Sequence, residues 1–278
     1  MSARRRTALT LVGALAARAA LAGAGSLDAG STGAPWRRTN YAGRPLTLLG
    51  GPALAAAATA TAVLGAPTGT RAATALVGAV SGLVGGYDDL AGARPEQARD
   101  KGLAGHLRAL RAGRVSAGAV KVAGIGAAAA AAAVLTRRRS GAAALIDGVV
   151  TTGLVAGTAN LLNLLDLRPG RAAKAGAIAT AVTLGGPAGS LVAGPLGAVL
   201  AVLPDDLGER VMLGDCGANA LGALVGLRLA QVPGRGTRAG LLAGIVALTL
   251  ASEKVSFTTV IEATPGLREL DRLGRRPS

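Results

Sequence analysis

Apolar residues in this chain fall in long unbroken blocks, not in stripes. The blocks run over about 7–25, 46–66, 72–87, 117–135, 142–162, 172–184, 188–203, 217–230 and 239–252. A stretch such as VAGIGAAAAAAAVL (122–135) has no polar face at helical period, which a helix packed in water would need. Each block therefore predicts a helix without a solvated side. Several are shorter than the ~20 residues that cross a ~30 Å hydrocarbon core upright. Ala and Gly add little insertion energy each, so block edges are soft. The pattern predicts an all-α, polytopic integral membrane protein with about nine transmembrane helices, within a range of eight to ten.

Composition agrees. Half of the 278 residues are apolar and only 16% are charged, too hydrophobic a balance for an ordinary soluble domain. Abundant Gly and Ala allow helices to approach closely in lipid. The aromatics are Trp36, Tyr41, Tyr87 and Phe257, too few for an interfacial belt. A single cysteine, Cys216, excludes an intramolecular disulfide. The first block follows Arg4–Arg6 as a signal peptide would, but no small-residue cleavage site is evident, so a retained first helix is expected. Residues 1–278 read as one membrane domain, with 253–278 as a cytoplasmic tail.

Charge gives a direction. Counted on alternate sides of nine spans, nineteen Lys and Arg lie on one side and nine on the other. The positive-inside rule makes the richer side cytoplasmic. Arg4–Arg6 and Arg137–Arg139 oppose this locally. The net charge of +15 is spread over loops without stacking aromatics, which argues against a nucleic-acid partner.

The acidic residues divide more sharply: on the poorer side only Asp147 is found. On the richer side Asp88 and Asp89 close one block and Asp166 closes another, while Asp205, Asp206 and Asp215 follow a third. Acidic residues do not orient membrane proteins, so their one-sidedness points to a catalytic face. Carboxylates converging at a membrane face suit a divalent cation and a diphosphate. In NLLNLLDLRPGRAAK (160–174), Asn160, Asn163 and Asp166 follow at one-turn intervals, which predicts a shared face. In PDDLGERVMLGDCGANALG (204–222), Asp215 sits between glycines at the mouth of a span, where a helix N-terminus can meet an anion. Plainer readings stand beside these. Asp88 and Asp89 can simply be solvated, Asp215 can cap its helix, and Asp166 can pair with Arg168 or Arg171. Asp205 and Asp206 read as a solvated turn after Pro204. Lys121 can snorkel, His106 reads as a surface residue, and Arg108–Arg114 reads as a positive-inside signal.

The Asp-Asp pair after a span, Asn-x-x-Asn-x-x-Asp and Gly-Asp-x-Gly-Ala, in this order over about 35–255, resemble the polyprenyl-phosphate N-acetylhexosamine-1-phosphate transferase superfamily. The resemblance implies transfer of a sugar 1-phosphate from a UDP-sugar to a polyprenyl phosphate, releasing UMP, with Mg²⁺ or Mn²⁺. It implies catalytic roles for Asp88, Asp89 and Asp166, and metal ligation by Asp215 and Asp166. Substrate contacts would come from Asn163, Asn160, Lys121 and Arg44. Implied partners are the two substrates, membrane lipid and a second copy in a homodimer. The implied location is the plasma membrane, with the active-site cleft facing the cytoplasm. The family's histidine-rich segment is missing: His106 is the only histidine, and SEKVSFTTVIEATPGLRELDRLGRR (252–276) stands in its place. That argues against a pentapeptide-bearing donor. A solute transporter would instead carry charges near mid-span and repeated halves, and neither is evident. A catalytically inactive relative that holds lipid phosphate is the main rival.

Overall fold

The computed structural model describes residues 2–91, 111, 113, 115–137 and 140–276. His106, Arg108 and Arg114 lie outside the described residues. The chain runs α1 (Ala3–Asp28), a 3-10 turn (Ser31–Trp36), β1 (Arg37–Thr39), β2 (Pro45–Thr47), α2 (Gly50–Gly65) and α3 (Arg71–Ala91). It continues through α4 (Ala117–Leu135), α5 (Gly141–Leu165), α6 (Arg171–Val182), α7 (Ala193–Leu207) and α8 (Gly214–Leu229). The last elements are α9 (Arg235–Ser252), α10 (Phe257–Ala263) and α11 (Leu267–Arg272). The class is all-α; an antiparallel hairpin with Arg38 opposite Leu46 is the only sheet among the described residues.

Helix α8 is the axis of the bundle. Fourteen of its residues are buried, and it packs on α2, α3, α5 and α6. Helix α1 lies outside on α2 and α7, α4 on α3 and α5, and α9 on α5. Small residues make this packing possible. A Cβ on Gly222 would come within 2.6 Å of the Ala159 Cα, and one on Gly226 within 2.4 Å of the Leu154 carbonyl oxygen. These two glycines, four apart, let α8 lie directly on the α5 backbone. On the outside, Leu11, Leu15, Leu83, Leu145 and Val182 are exposed. An apolar exterior around an apolar interior is what lipid requires of a helical bundle.

Four helical segments are long and apolar enough to cross a membrane: Ala3–Asp28, Ala117–Leu135, Gly141–Leu165 and Gly189–Leu207. A fifth is possible if Arg235–Ser252 and Phe257–Ala263, bent by 96° at their junction, form one broken span. The central α8 has 16 residues and α2 has 16, below the length of an upright span.

Two local expectations are corrected. The block at 46–66 becomes helical only at Gly50, because Leu46 and Thr47 are drawn into the hairpin. Thr47 also exchanges backbone hydrogen bonds with Arg210 and Met212. The block at 188–203 runs on to Leu207, so Asp205 and Asp206 lie in its last turn and not in a solvated turn. Within the stretch expected as a cytoplasmic tail, α10 and α11 fold back onto α6. There Arg171 donates to both Asp271 oxygens (2.8 and 3.2 Å) and to the Thr258 hydroxyl (2.8 Å).

Candidate functional site

The last turn of α3 brings Asp88 and Asp89 against the first turn of α8. Gly85 makes the approach possible, since a Cβ there would lie 2.3 Å from the Asp215 carbonyl oxygen. The Asp89 carboxylate accepts from the backbone N–H of Asp215 and of Cys216, both at 2.9 Å. It thereby takes up two of the donors that a helix N-terminus leaves free, where the helix dipole favours an anion. Gly214, at φ +57°, is the position that turns the chain into α8, and its missing Cβ leaves room for the Asp89 oxygens.

Lys121, in the first turns of α4, reaches across to both remaining carboxylates. Its Nζ lies 2.6 Å from Asp88 Oδ2 and also bonds Asp215 Oδ2. The side chains of all three are largely sheltered, with 15%, 15% and 24% exposure for Lys121, Asp88 and Asp215. The β-hairpin closes the same end, where Arg38 donates to the Asp89 carbonyl oxygen at 2.5 Å.

Asp166 caps the C-terminus of α5 and is buried, yet neither of its oxygens has a hydrogen-bond partner. Burial pushes its pKa well above the usual carboxylate value, and the charges of Asp206, Asp215 and Asp89 push it further. Only the nearby Gly214 amide pulls the other way. Asp206 is 1% exposed, with its Oδ2 also unpartnered. Asp205 points outward instead, to Arg18 (2.6 Å) and Arg210 (2.7 Å).

The site therefore gathers Asp88, Asp89, Asp215, Lys121 and Asp166 at one end of the bundle. Other expected residues are placed differently. Asn160 is exposed and Asn163 half-buried, while Asp166 leaves the helix at ψ 47°, so the three do not share one environment. Pro169 cannot continue the helix, which accounts for the turn that begins at Asp166. Arg44 pairs with the buried Glu209 at 3.0 Å, which also accepts from Asn40 at 2.6 Å. Arg38, not Arg44, is the hairpin cation that touches the acidic pair.

Asp206 was undervalued by sequence reasoning, though a signal existed. Val199, Val202 and Asp206 fall at i, i+3 and i+7 of one helix, and all three are buried. Among the described residues, no group of three or more Asp, Glu, His or Cys side chains is arranged to hold a metal ion. The carboxylates left with unpartnered buried oxygens are Asp166 and Asp206. No protein-family model matches the chain, and no curated protein matches it in sequence.

Proposed function

We propose that this chain is a membrane transferase that moves a sugar 1-phosphate from a UDP-N-acetylhexosamine to a polyprenyl phosphate, releasing UMP. The observation that carries the reading is the meeting of Asp88 and Asp89, Asp215, Lys121 and Asp166, from four helices far apart in sequence, at one end of an apolar bundle. In the reaction, an oxygen of the lipid phosphate bonds to the sugar-bearing phosphorus as the bridging P–O bond to UMP breaks. Such chemistry asks for positioning and charge, not for a covalent nucleophile.

The residues present suit Mg²⁺ in its usual mode, held by one or two carboxylates with the remaining oxygens from substrate and water. Asp166, buried with both oxygens orphaned, and Asp215 would hold it. Bound there, it would neutralise charge on the diphosphate and on the departing UMP. Lys121 is positioned to exchange a carboxylate for a diphosphate oxygen. Asp88 can take a proton from the lipid phosphate, whereas Asp89, committed to two amides, holds the α8 N-terminus in place.

In this reading α1–α9 are nine spans of a plasma-membrane protein with the acidic end in the cytoplasm, and the glycan made is a cell-envelope one. Labelling of Arg210→Cys from outside intact cells would overturn that orientation.

A second reading has its own observation. Lys121 already neutralises Asp88 and Asp215, and two amides satisfy Asp89, as in an inactive relative that keeps the fold and holds lipid phosphate. Turnover separates the two. Purified protein in detergent, given Mg²⁺, undecaprenyl phosphate and a panel of UDP-sugars, is expected to release UMP only when lipid and metal are both present. Folded protein that binds the lipid but releases no UMP with any donor would establish the inactive relative.

A further inference from the structure

Among the described carboxylates at the acidic end of the bundle, five line the start of α8 and the turn between α5 and α6, and their charges are not compensated alike. Asp89 has two backbone donors and a helix N-terminus. Asp88 and Asp215 share the Lys121 ammonium. Asp206 accepts from the Gly170 N–H and lies within range of the Lys174 charge, but its Oδ2 has no partner. Neither oxygen of Asp166 has a well-formed hydrogen bond, only the Gly214 N–H lies close enough to favour its charge, and the strongest charge acting on it is Asp206. Three buried oxygens, on two carboxylates that feel each other's charge, thus lack a well-formed hydrogen bond. Buried carboxylates are ordinarily paired, protonated or bound to metal, because an unpaired charge is strongly disfavoured away from water.

The backbone is built to keep these two carboxylates together. Asp166 begins the turn between α5 and α6, and Gly170 ends it at φ +72°. A Cβ on Gly170 would lie 2.3 Å from Leu207 Cδ2, so the turn sits directly on the C-terminal end of α7, next to Asp206. The following residue, Arg171, is locked to Asp271, and Lys174 donates to the carbonyls of Leu270 and Asp271. The turn is held from both sides. Two buried acids held together in this way must either share a proton or hold a cation between them.

We infer that Asp206 is, with Asp166, a carboxylate ligand for a divalent cation at the turn that joins α5 to α6. Two carboxylates from rigid elements, with water or phosphate completing the shell, are a normal Mg²⁺ arrangement. Asp206 thereby joins the site proposed above. The inference rests on that reading only for the identity of the phosphate that shares the ion.

Mn²⁺ tests it without substrate. The full chain in detergent is titrated with Mn²⁺, the free ion is followed by its paramagnetic resonance signal, and Mg²⁺ is added as competitor. Wild type is expected to bind Mn²⁺ and lose it to Mg²⁺. Asp206→Asn and Asp166→Asn are each expected to weaken binding by at least roughly tenfold, the least that losing even an outer-shell partner costs. Asp205→Asn, whose carboxylate faces Arg18 and Arg210, is expected to bind as wild type does. Asp206→Glu, which keeps the charge, guards against a folding defect and is expected to retain weakened binding. Wild-type affinity in Asp206→Asn, or no Mn²⁺ binding by the wild type, would overturn the inference; the latter would leave the two acids as a proton-sharing pair. Mn²⁺ binding that depends on Asp206 in a protein that releases no UMP would sustain the cation pair while defeating the transferase reading.

Discussion

Helix α5 carries a carboxylate near each end, and the two have opposite surroundings. Asp147, in its second turn, is met by Arg235 at 3.0 and 3.2 Å and by Arg238 at 3.1 Å, from the start of α9. Asp166, at its C-terminal cap, is buried without a well-formed hydrogen bond. Nineteen residues of helix put them roughly 28 Å apart, too far for the arginines of one end to serve the other. The central helix repeats the division, with Asp215 in its first turn and Arg228 in its last, each at the end its dipole favours. At the far end even surplus cations find acceptors: Arg228 donates to the carbonyls of Thr183 (2.9 Å) and Gly185 (2.6 Å). At one end every charge named has a partner, and the cations outnumber the acid. The other keeps buried carboxyl oxygens that no side chain pairs, and those mark the site.

The largest effect that separates the ends is on turnover. Asp215→Asn is expected to lower UMP release by on the order of 10²–10³-fold, the size of losing one preorganised electrostatic contact. Asp147→Asn is expected to leave the rate unchanged. Equal rates in Asp215→Asn and wild type, or an equal loss in both variants, would remove the functional distinction between the two ends.

The next effect is on stability, at the clamp beside the acidic end. Asp271 is buried among Arg171, Arg275 and Lys174. Burial alone would raise its pKa, but the Arg171 hydrogen bonds and charge, then Arg275 and Lys174, hold it below the ordinary 3.8. A depressed carboxylate pKa adds stability above the unfolded value, and that stability is lost as pH falls through the folded one. Asp271→Ala is expected to cost about 2–3 kcal/mol, less than the ~3–5 of a fully enclosed pair because water reaches this short segment. Thermal unfolding at neutral pH measures it, and the difference from wild type should vanish in strong acid. An undiminished difference at a pH well below 3.8 would mean that packing, not the ion pair, holds α10 and α11.

Much of the bundle was legible because hydropathy records which residues avoid water. The block at 117–135 coincides with α4, and 142–162 lies within α5. What hydropathy cannot record is which helices touch. Lys121 meets Asp215 across 94 residues of sequence, a contact that rests on the approach of α3 to α8 at Gly85 and of α4 to α3 at Gly124 and not on any local pattern. The acidic residues were legible as a group because water avoidance makes every charge at a block's end conspicuous. Their separate fates were not. Asp205 and Asp206 are neighbours in sequence, yet one helical step of 100° sends the first to surface arginines and the second into the core. The return of α10 and α11 escaped notice because the sequence of 253–276 reads the same whether or not Asp271 has found Arg171.

The smallest expected effect tests the paired end itself. Asp147→Ala removes the acceptor shared by Arg235 and Arg238, but Arg235 keeps a side-chain exposure of 39% and Arg238 has the Gly234 carbonyl within reach. Freed guanidinium groups with access to water lose little, since exposed ion pairs gain little on forming. The variant is therefore expected to unfold at nearly the wild-type temperature, with no loss resolvable beside that of Asp271→Ala. A loss as large as that of Asp271→Ala would show that the far end also depends on a buried charge. The asymmetry along α5 would then lie in the sign of the charge and not in whether it is compensated.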